Sequence, residues 1–163
     1  MKKVALTFLS VLFLVNASSY YTIEHIEGKT VAITDGDTFK LLTQDSTLVR
    51  VRVANIDCPE RKQPFYQKAK QFTSQEIFDK RVKLEVIKKD RYGRLVALVK
   101  YDDSLDLSQE LLKNGFAWHY LKYSKDSVLQ DLHDEARKNK VGLWQDPHAM
   151  APWEWRSSKR KSK

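Results

Sequence analysis

Residues 49–60 read V-R-V-R-V-A-N-I-D-C-P-E and bring a guanidinium within a few positions of two carboxylates. Val49, Val51 and Val53 share one face and Arg50 and Arg52 the other, the period-two pattern of a half-buried strand. Pro59 forbids further ladder hydrogen bonding. Arg52, Asp57 and Glu60 therefore gather where a strand ends, supplying a cation, an oxygen suited to a metal and a candidate base. Hydrolysis of a phosphodiester needs those three things.

Two other stretches carry chemistry of the same kind. In V-A-I-T-D-G-D-T-F-K-L-L, residues 31–42, the Asp35-Gly36 dipeptide suits a tight reversal between two strands. Alone, that is a hairpin turn with a solvated acid. Asp37, beside Thr38 where the chain re-enters a strand, opens a second reading in which two aspartates at a strand edge share a cation. K-K-D-R-Y-G-R at 88–94 precedes a nearly continuous apolar run at 95–101, a hairpin leading into a buried strand. The bland account of 90–94 is a charged tip. Arg94 differs from a loose surface charge because Gly93 and Leu95 place it where the turn meets a rigid strand.

The elements that must position these groups follow from periodicity. Phe65, Ala69, Phe72 and Glu76 recur at helical spacing over 65–79, with Phe78 packing near the end, and the aromatics read as core. Val82, Leu84 and Val86 alternate with Lys83 and Glu85, a strand with one wet face. Asp106 with Gln109 forms a capping box for a helix at 107–114, stopped by Gly115. Ser127 with Gln130 offers the same device for a helix to about Lys138 that buries Val128, Leu132 and Ala136, and Gly142 ends the unit. Trp144, Pro147, Pro152, Trp153 and Trp155 suggest an extended segment folding back over the core, followed at 157–163 by a basic, disordered tail. Short strands with one inserted helix and later helices predict an α+β, mainly β fold, an OB-type five-stranded barrel with about three helices.

The chain's 163 residues suffice for one domain with a real core, and no internal repeat suggests a second. A net charge of +8 favours a polyanionic partner, though charge alone equally serves solubility. Residues 1–17 carry two lysines, an apolar run and V-N-A, the pattern of a secretory signal, which predicts a secreted or periplasmic protein with no membrane insertion after cleavage. As a helix the apolar run at 4–15 reaches only about 18 Å, short of a bilayer's hydrocarbon thickness. The single cysteine, Cys58, makes no internal disulfide. His25, His119, His133 and His148 lack zinc-type spacing and read as surface or packing residues. No Gly-rich phosphate loop is present, and nothing local would activate Cys58 as a nucleophile.

Taken together, I-T-D-G-D-T-F-K-L, R-V-A-N-I-D-C-P-E, D-R-Y-G-R, N-G-F-A and A-R-K-N-K-V-G-L-W resemble, in order, the motifs of the staphylococcal-type thermonuclease family over about residues 31–144. The resemblance implies an OB-fold catalytic domain at 22–148, with 149–163 as a C-terminal Trp/Pro segment and basic tail. It further implies a Ca²⁺-dependent nuclease acting as a monomer on DNA and RNA and leaving 3′-phosphate ends. Carried over by motif, Asp37, Asp57 and the main-chain carbonyl of Cys58 ligate Ca²⁺, and Asp35 acts through a bound water. The family has threonine in place of Cys58, a change that a carbonyl ligand survives. Arg52 and Arg94 match the family's phosphate-binding arginines and Glu60 its proposed general base. Arg91 stands where the family often has lysine, and Tyr92 and Tyr123 match tyrosines that line the nucleotide pocket. Leu121 departs from a tyrosine of the best-known member, with Tyr120 one residue earlier. The competing reading is a catalytically silent OB-fold module that binds nucleic acid; such modules typically lose the acids or arginines, which this chain keeps.

Overall fold

The computed structural model describes residues 24–161, so the signal segment expected at 1–17 lies outside the described residues. Strand β1 (Glu24–Asp35) turns into β2 (Thr38–Thr43), and their closing pair, Asp35 with Thr38, leaves Gly36 and Asp37 as the turn. β2 runs antiparallel to β3 (Leu48–Val53), after which the chain makes a two-residue strand β4 (Ile56–Asp57) and helix α1 (Tyr66–Ile77). β5 (Arg81–Lys89) returns along the other edge of β1 and turns into β6 (Leu95–Tyr101). Parallel pairing of β6 with β3 then closes these five long strands into a mixed barrel, as the OB-type expectation requires.

Alternation fills the barrel. Phe39, Leu41, Val51, Val53, Val82, Leu84, Ala97 and Val99 point inward and are essentially inaccessible. β6 follows the same rule: Ala97, Val99 and Tyr101 are buried while the residues between them are half-buried, so this strand has one fully covered face. Helix α1 begins after Phe65, which adopts a left-handed conformation at φ 65°. Its buried stripe is Ala69, Thr73 and Ile77, spaced four apart, and not the aromatic series. Phe72 is therefore only half-buried against the core, and Phe78, just past the helix end, is 49% exposed.

The C-terminal half adds β7 (Leu105–Asp106), α2 (Leu107–Lys113), β8 (Trp118–His119), α3 (Ser127–Lys138) and α4 (Pro152–Lys161). Asp106 caps α2 as expected, accepting from the backbone N–H of Ser108 at 2.8 Å and of Gln109 at 3.2 Å. The cap of α3 is Asp126, not Ser127; it accepts from Val128 N–H at 2.9 Å. The buried stripe is accordingly Leu129, His133 and Ala136, while Val128 faces solvent. Gly115 has φ 64°, and a Cβ there would stand 2.2 Å from the carbonyl oxygen of Val141, so only glycine lets these two chain segments cross.

Two expectations for the C-terminus are corrected. The segment after Pro152 is not extended and 157–161 is not a loose tail; both belong to α4, a fourth α-helix. The remaining two tail residues lie outside the described residues. α4 is anchored because Ala151 joins Trp118, Ala136, Leu143 and Trp144 in a second apolar cluster, against which Phe65 and Trp153 pack.

Candidate active site

Arg52 is the hub of the acidic cluster. It pairs in register with Thr38 on β2, which sets its side chain beside Asp37 in the β1–β2 turn. Nη1 lies 2.9 Å from Asp37 Oδ2 and donates to the Val53 carbonyl at 2.9 Å. Nη2 donates to Asp57 Oδ1 at 2.9 Å and to the Ile56 carbonyl at 3.0 Å. One guanidinium thus holds two carboxylates together and pins the short β4 segment to the end of β3. Burial works against the charge of Arg52, but Asp37 and Asp57 outweigh it and hold the guanidinium ionised.

The turn fixes its acids just as closely. Asp37, only 6% exposed, accepts the Cys58 backbone N–H on Oδ2 at 2.7 Å, and its Oδ1 accepts the Thr38 hydroxyl at 3.2 Å. A Cβ on Gly36 would meet the Cβ atoms of Ala69 and Cys58 at 2.9 Å, so the missing side chain lets the turn touch both α1 and the acidic loop. Thr73 Oγ1 on α1 donates to the Gly36 carbonyl at 2.6 Å. Burial, reinforced by the neighbouring Asp37, pushes the Asp35 carboxyl up to about 7. Burial also raises Asp57, with Arg156 and Arg52 pulling it back. The Cys58 thiol is buried and pushed well up, by burial first and then by Asp37, which leaves its side chain chemically inert.

Asp37 and Asp57 therefore converge on one guanidinium, with the Cys58 backbone N–H on Asp37, and both acids offer oxygen donors. That donor chemistry fits a hard divalent cation that completes its shell with water. Among the described residues no group of three or more His, Cys, Asp and Glu side chains is placed to hold a metal ion.

Arg94 occupies a second station on the same cleft. Its Nε and Nη2 each lie 2.8 Å from Asp90 Oδ2, while Asp90 Oδ1 accepts the backbone N–H groups of Tyr92 and Arg94 at 2.9 and 3.0 Å. Asp90, read from the sequence as part of a charged tip, is what makes this hairpin tip a rigid mount. Tyr92 is 57% exposed, with Arg94 5.5 Å and Arg91 4.8 Å from its ring centre. Tyr123 is 60% exposed, and Lys88 stands 5.0 Å over its ring. The cleft measures about 1720 Å³ and is lined by Asp35, Asp37, Arg52, Asp57, Glu60, Arg91, Tyr92, Arg94 and Tyr123 together. All the side chains that the sequence singled out for chemistry thus share one groove.

Sequence reasoning missed two residues around Glu60. Gln63 is buried; its Oε1 accepts the Glu60 backbone N–H at 2.9 Å and its Nε2 donates to the Met150 carbonyl at 2.6 Å, tying the Glu60 loop to the C-terminal segment. Arg156 on α4 reaches Asp57 Oδ2 at 2.8 Å and Glu60 Oε1 at 2.5 Å. The start of α4 was nevertheless signalled. Pro152 occupies the first helical turn, Glu154 follows within it, and Lys159, Arg160 and Lys161 end the helix, the polarity a helix dipole favours.

A closed mixed barrel of five strands, with acids and arginines gathered in one cleft, defines a class, the OB-fold proteins. Comparison narrows it. The family described as staphylococcal nuclease homologue matches residues 50–146. An uncharacterised endonuclease of Haemophilus influenzae is 35% identical over 159 residues, covering 98% of this chain and 88% of its own. An uncharacterised endonuclease of Escherichia coli O157:H7 is 37% identical over 134 residues, 82% of this chain and 87% of its own. A micrococcal nuclease of Shigella flexneri is 35% identical over 143 residues, 82% of each chain. The chain belongs to the staphylococcal nuclease family.

Proposed function

We propose that this protein is a Ca²⁺-dependent nuclease that hydrolyses phosphodiester bonds of DNA and RNA, leaves 3′-phosphate ends and works outside the cytoplasm. The observation that carries the reading is the Asp37–Arg52–Asp57 cluster beside Glu60 in a cleft that also holds Arg94. A binding module has no need to hold buried acids against a phosphate-facing surface, where they repel the ligand; a cation-dependent hydrolase does.

Asp37, Asp57 and the Cys58 carbonyl would hold the Ca²⁺, with Asp35 acting through water. When bound, the ion supplies Lewis-acid stabilisation of charge on a phosphoryl oxygen. The chain's own residues do the rest. Glu60 orients the attacking water and accepts its proton as the water oxygen bonds to phosphorus. The P–O5′ bond breaks, the 5′-oxygen takes up a proton, and the phosphate stays on the 3′-oxygen. Arg52 and Arg94 approach from different elements, and both oppose the negative charge that grows on the equatorial oxygens. Arg91, Tyr92 and Tyr123 offer charge and exposed rings for the nucleotide next to the scissile bond.

The test is direct. The purified protein is incubated with single-stranded DNA and with RNA, with Ca²⁺ or with excess chelator, and the product ends are identified. Cleavage to 3′-phosphates only with Ca²⁺ is expected. Binding without cleavage under every divalent cation would favour the silent module.

A further inference from the structure

Among the described residues, Arg156 is the one guanidinium in the cleft that reaches Glu60. It comes from α4, outside the matched family region at 50–146. Nη1 lies 2.5 Å from Glu60 Oε1 and 3.4 Å from Asp57 Oδ1, while Nη2 lies 2.8 Å from Asp57 Oδ2. Glu60 sits on a loop between β4 and α1, its carboxylate 37% exposed. Arg156 ties that mobile type of side chain to a buried one, since the Asp57 carboxylate is only 3% exposed. We propose that Arg156 is a positioning residue of this nuclease: its planar fork, anchored on Asp57, sets the Glu60 carboxylate where it meets the attacking water.

Three observations support this role over a surface ion pair. The first is the docking of the helix itself: Trp153 stacks on Tyr120 at 5.1 Å with an interplanar angle of 6°, and Ala151 is buried in the second apolar cluster. Tyr120 in turn donates its backbone N–H to the Asn55 carbonyl at 2.8 Å, in the same loop that delivers Asp57. The second is the Gln63 bridge, which fixes the Glu60 main chain to Met150 just ahead of α4. Main chain and side chain of Glu60 are therefore both referred to the C-terminal segment. The third is that the Nη groups of Arg52 are already engaged, each serving one carboxylate and one main-chain carbonyl, while the guanidinium seen on Glu60 is that of Arg156.

This inference rests on the nuclease reading, and the experiment separates the two. Steady-state kinetics on single-stranded DNA with Ca²⁺ are measured for the full chain, Arg156→Ala, Arg156→Lys, Glu60→Gln and the Arg156→Ala/Glu60→Gln double variant, with thermal melts of each. Arg156→Ala should lower kcat about tenfold to a hundredfold at saturating substrate, with a smaller change in KM. Arg156→Lys, which keeps charge but not the fork, should recover part of kcat while folding as the parent does. In the Glu60→Gln background the loss of Arg156 should cost less than about twofold, because a positioning residue has nothing left to position. A kcat for Arg156→Ala within twofold of the parent, or equal losses with and without Glu60, would overturn the proposal and leave the nuclease reading intact. A parent protein that cleaves nothing overturns both.

Discussion

Arg156 Nη2 and Asp57 Oδ2 lie 2.8 Å apart although ninety-nine residues separate them in the chain. Asp57 thereby shares its two oxygens between two guanidiniums, Arg52 on Oδ1 and Arg156 on Oδ2. A carboxylate this buried is tolerable only because both oxygens are met by charge-assisted partners. The arrangement makes the acidic loop a joint between the barrel and the C-terminal helix.

The acids should be indispensable to activity but not to the fold. Asp37→Asn and Asp57→Asn keep the size of each side chain and remove a charged oxygen donor, so both should reduce nucleolytic rate by more than about a hundredfold. Far-ultraviolet circular dichroism should stay that of the parent. Isothermal titration should show Ca²⁺ binding weakened in both, and unchanged affinity would remove these residues from the metal site.

Gly36 and Cys58 touch, yet their substitutions should diverge. Cys58→Ser removes an inert thiol and leaves the main-chain carbonyl, so activity should remain close to that of the parent. Gly36→Ala puts a methyl group 2.9 Å from Cys58 Cβ and Ala69 Cβ. Overpacking of that kind should cost about 1–3 kcal/mol in urea unfolding. An inactive, well-folded Cys58→Ser protein would return the thiol to consideration.

Arg52 and Arg94 should separate by stability. Replacing either by alanine should depress kcat by about a hundredfold, corresponding to roughly 3 kcal/mol of lost transition-state stabilisation. Arg52→Ala additionally strands Asp37 and Asp57 beside each other without their shared counterion and should destabilise the fold by about 3 kcal/mol or more. Arg94 pairs with one carboxylate at a half-exposed turn, so Arg94→Ala should melt near the parent temperature. Equal loss of stability in the two variants would contradict the bracing role given to Arg52.

His133 supplies a pH dependence away from the acidic cleft. It is buried edge-on against Trp144 at 4.9 Å between ring centres, and burial holds its pKa below the ordinary histidine value. The folded state thus prefers the neutral ring, and the unfolded chain binds the proton more readily. Stability from this group is complete above the unfolded pKa of about 6.5 and is lost as pH falls through the folded value. Between pH 7 and pH 5 the parent should lose more stability than His133→Gln. A parallel pH dependence in the two proteins would show that this ring contributes nothing.

What could be read from the chain was local. Asp106 announced its helix because a cap acts on amides two and three residues away, and the alternation of β3 and β5 announced their buried faces because a pleat has period two. The resemblance in D-G-D and D-C-P-E assembled acids that share one loop system, and the structure does bring Asp37 and Asp57 to the same guanidinium. Arg156 escaped because no local pattern ties it to Asp57; only docking of Trp153 on Tyr120 makes them neighbours. The same cause undid the view of 157–161 as a disordered tail, since those residues belong to α4. The misplaced cap of α3 has a smaller origin: Asp126 and Ser127 are adjacent and both competent, and the choice between them turns the buried stripe by one residue.

The parallel seam between β3 and β6 sets when the protein becomes dangerous to nucleic acid. Arg52 lies on one side of that seam, paired in register with Val96, and Arg94 stands just ahead of β6 on the other. Every other pairing among these five strands is antiparallel, whereas this one is parallel and joins chain segments separated by β4, α1 and β5. Closing a loop of that length carries an entropic cost in folding. Until it happens the two arginines belong to separate pieces of chain, so an incompletely folded molecule carries every side chain of the cleft and no cleft. That seam is the safety catch of the protein.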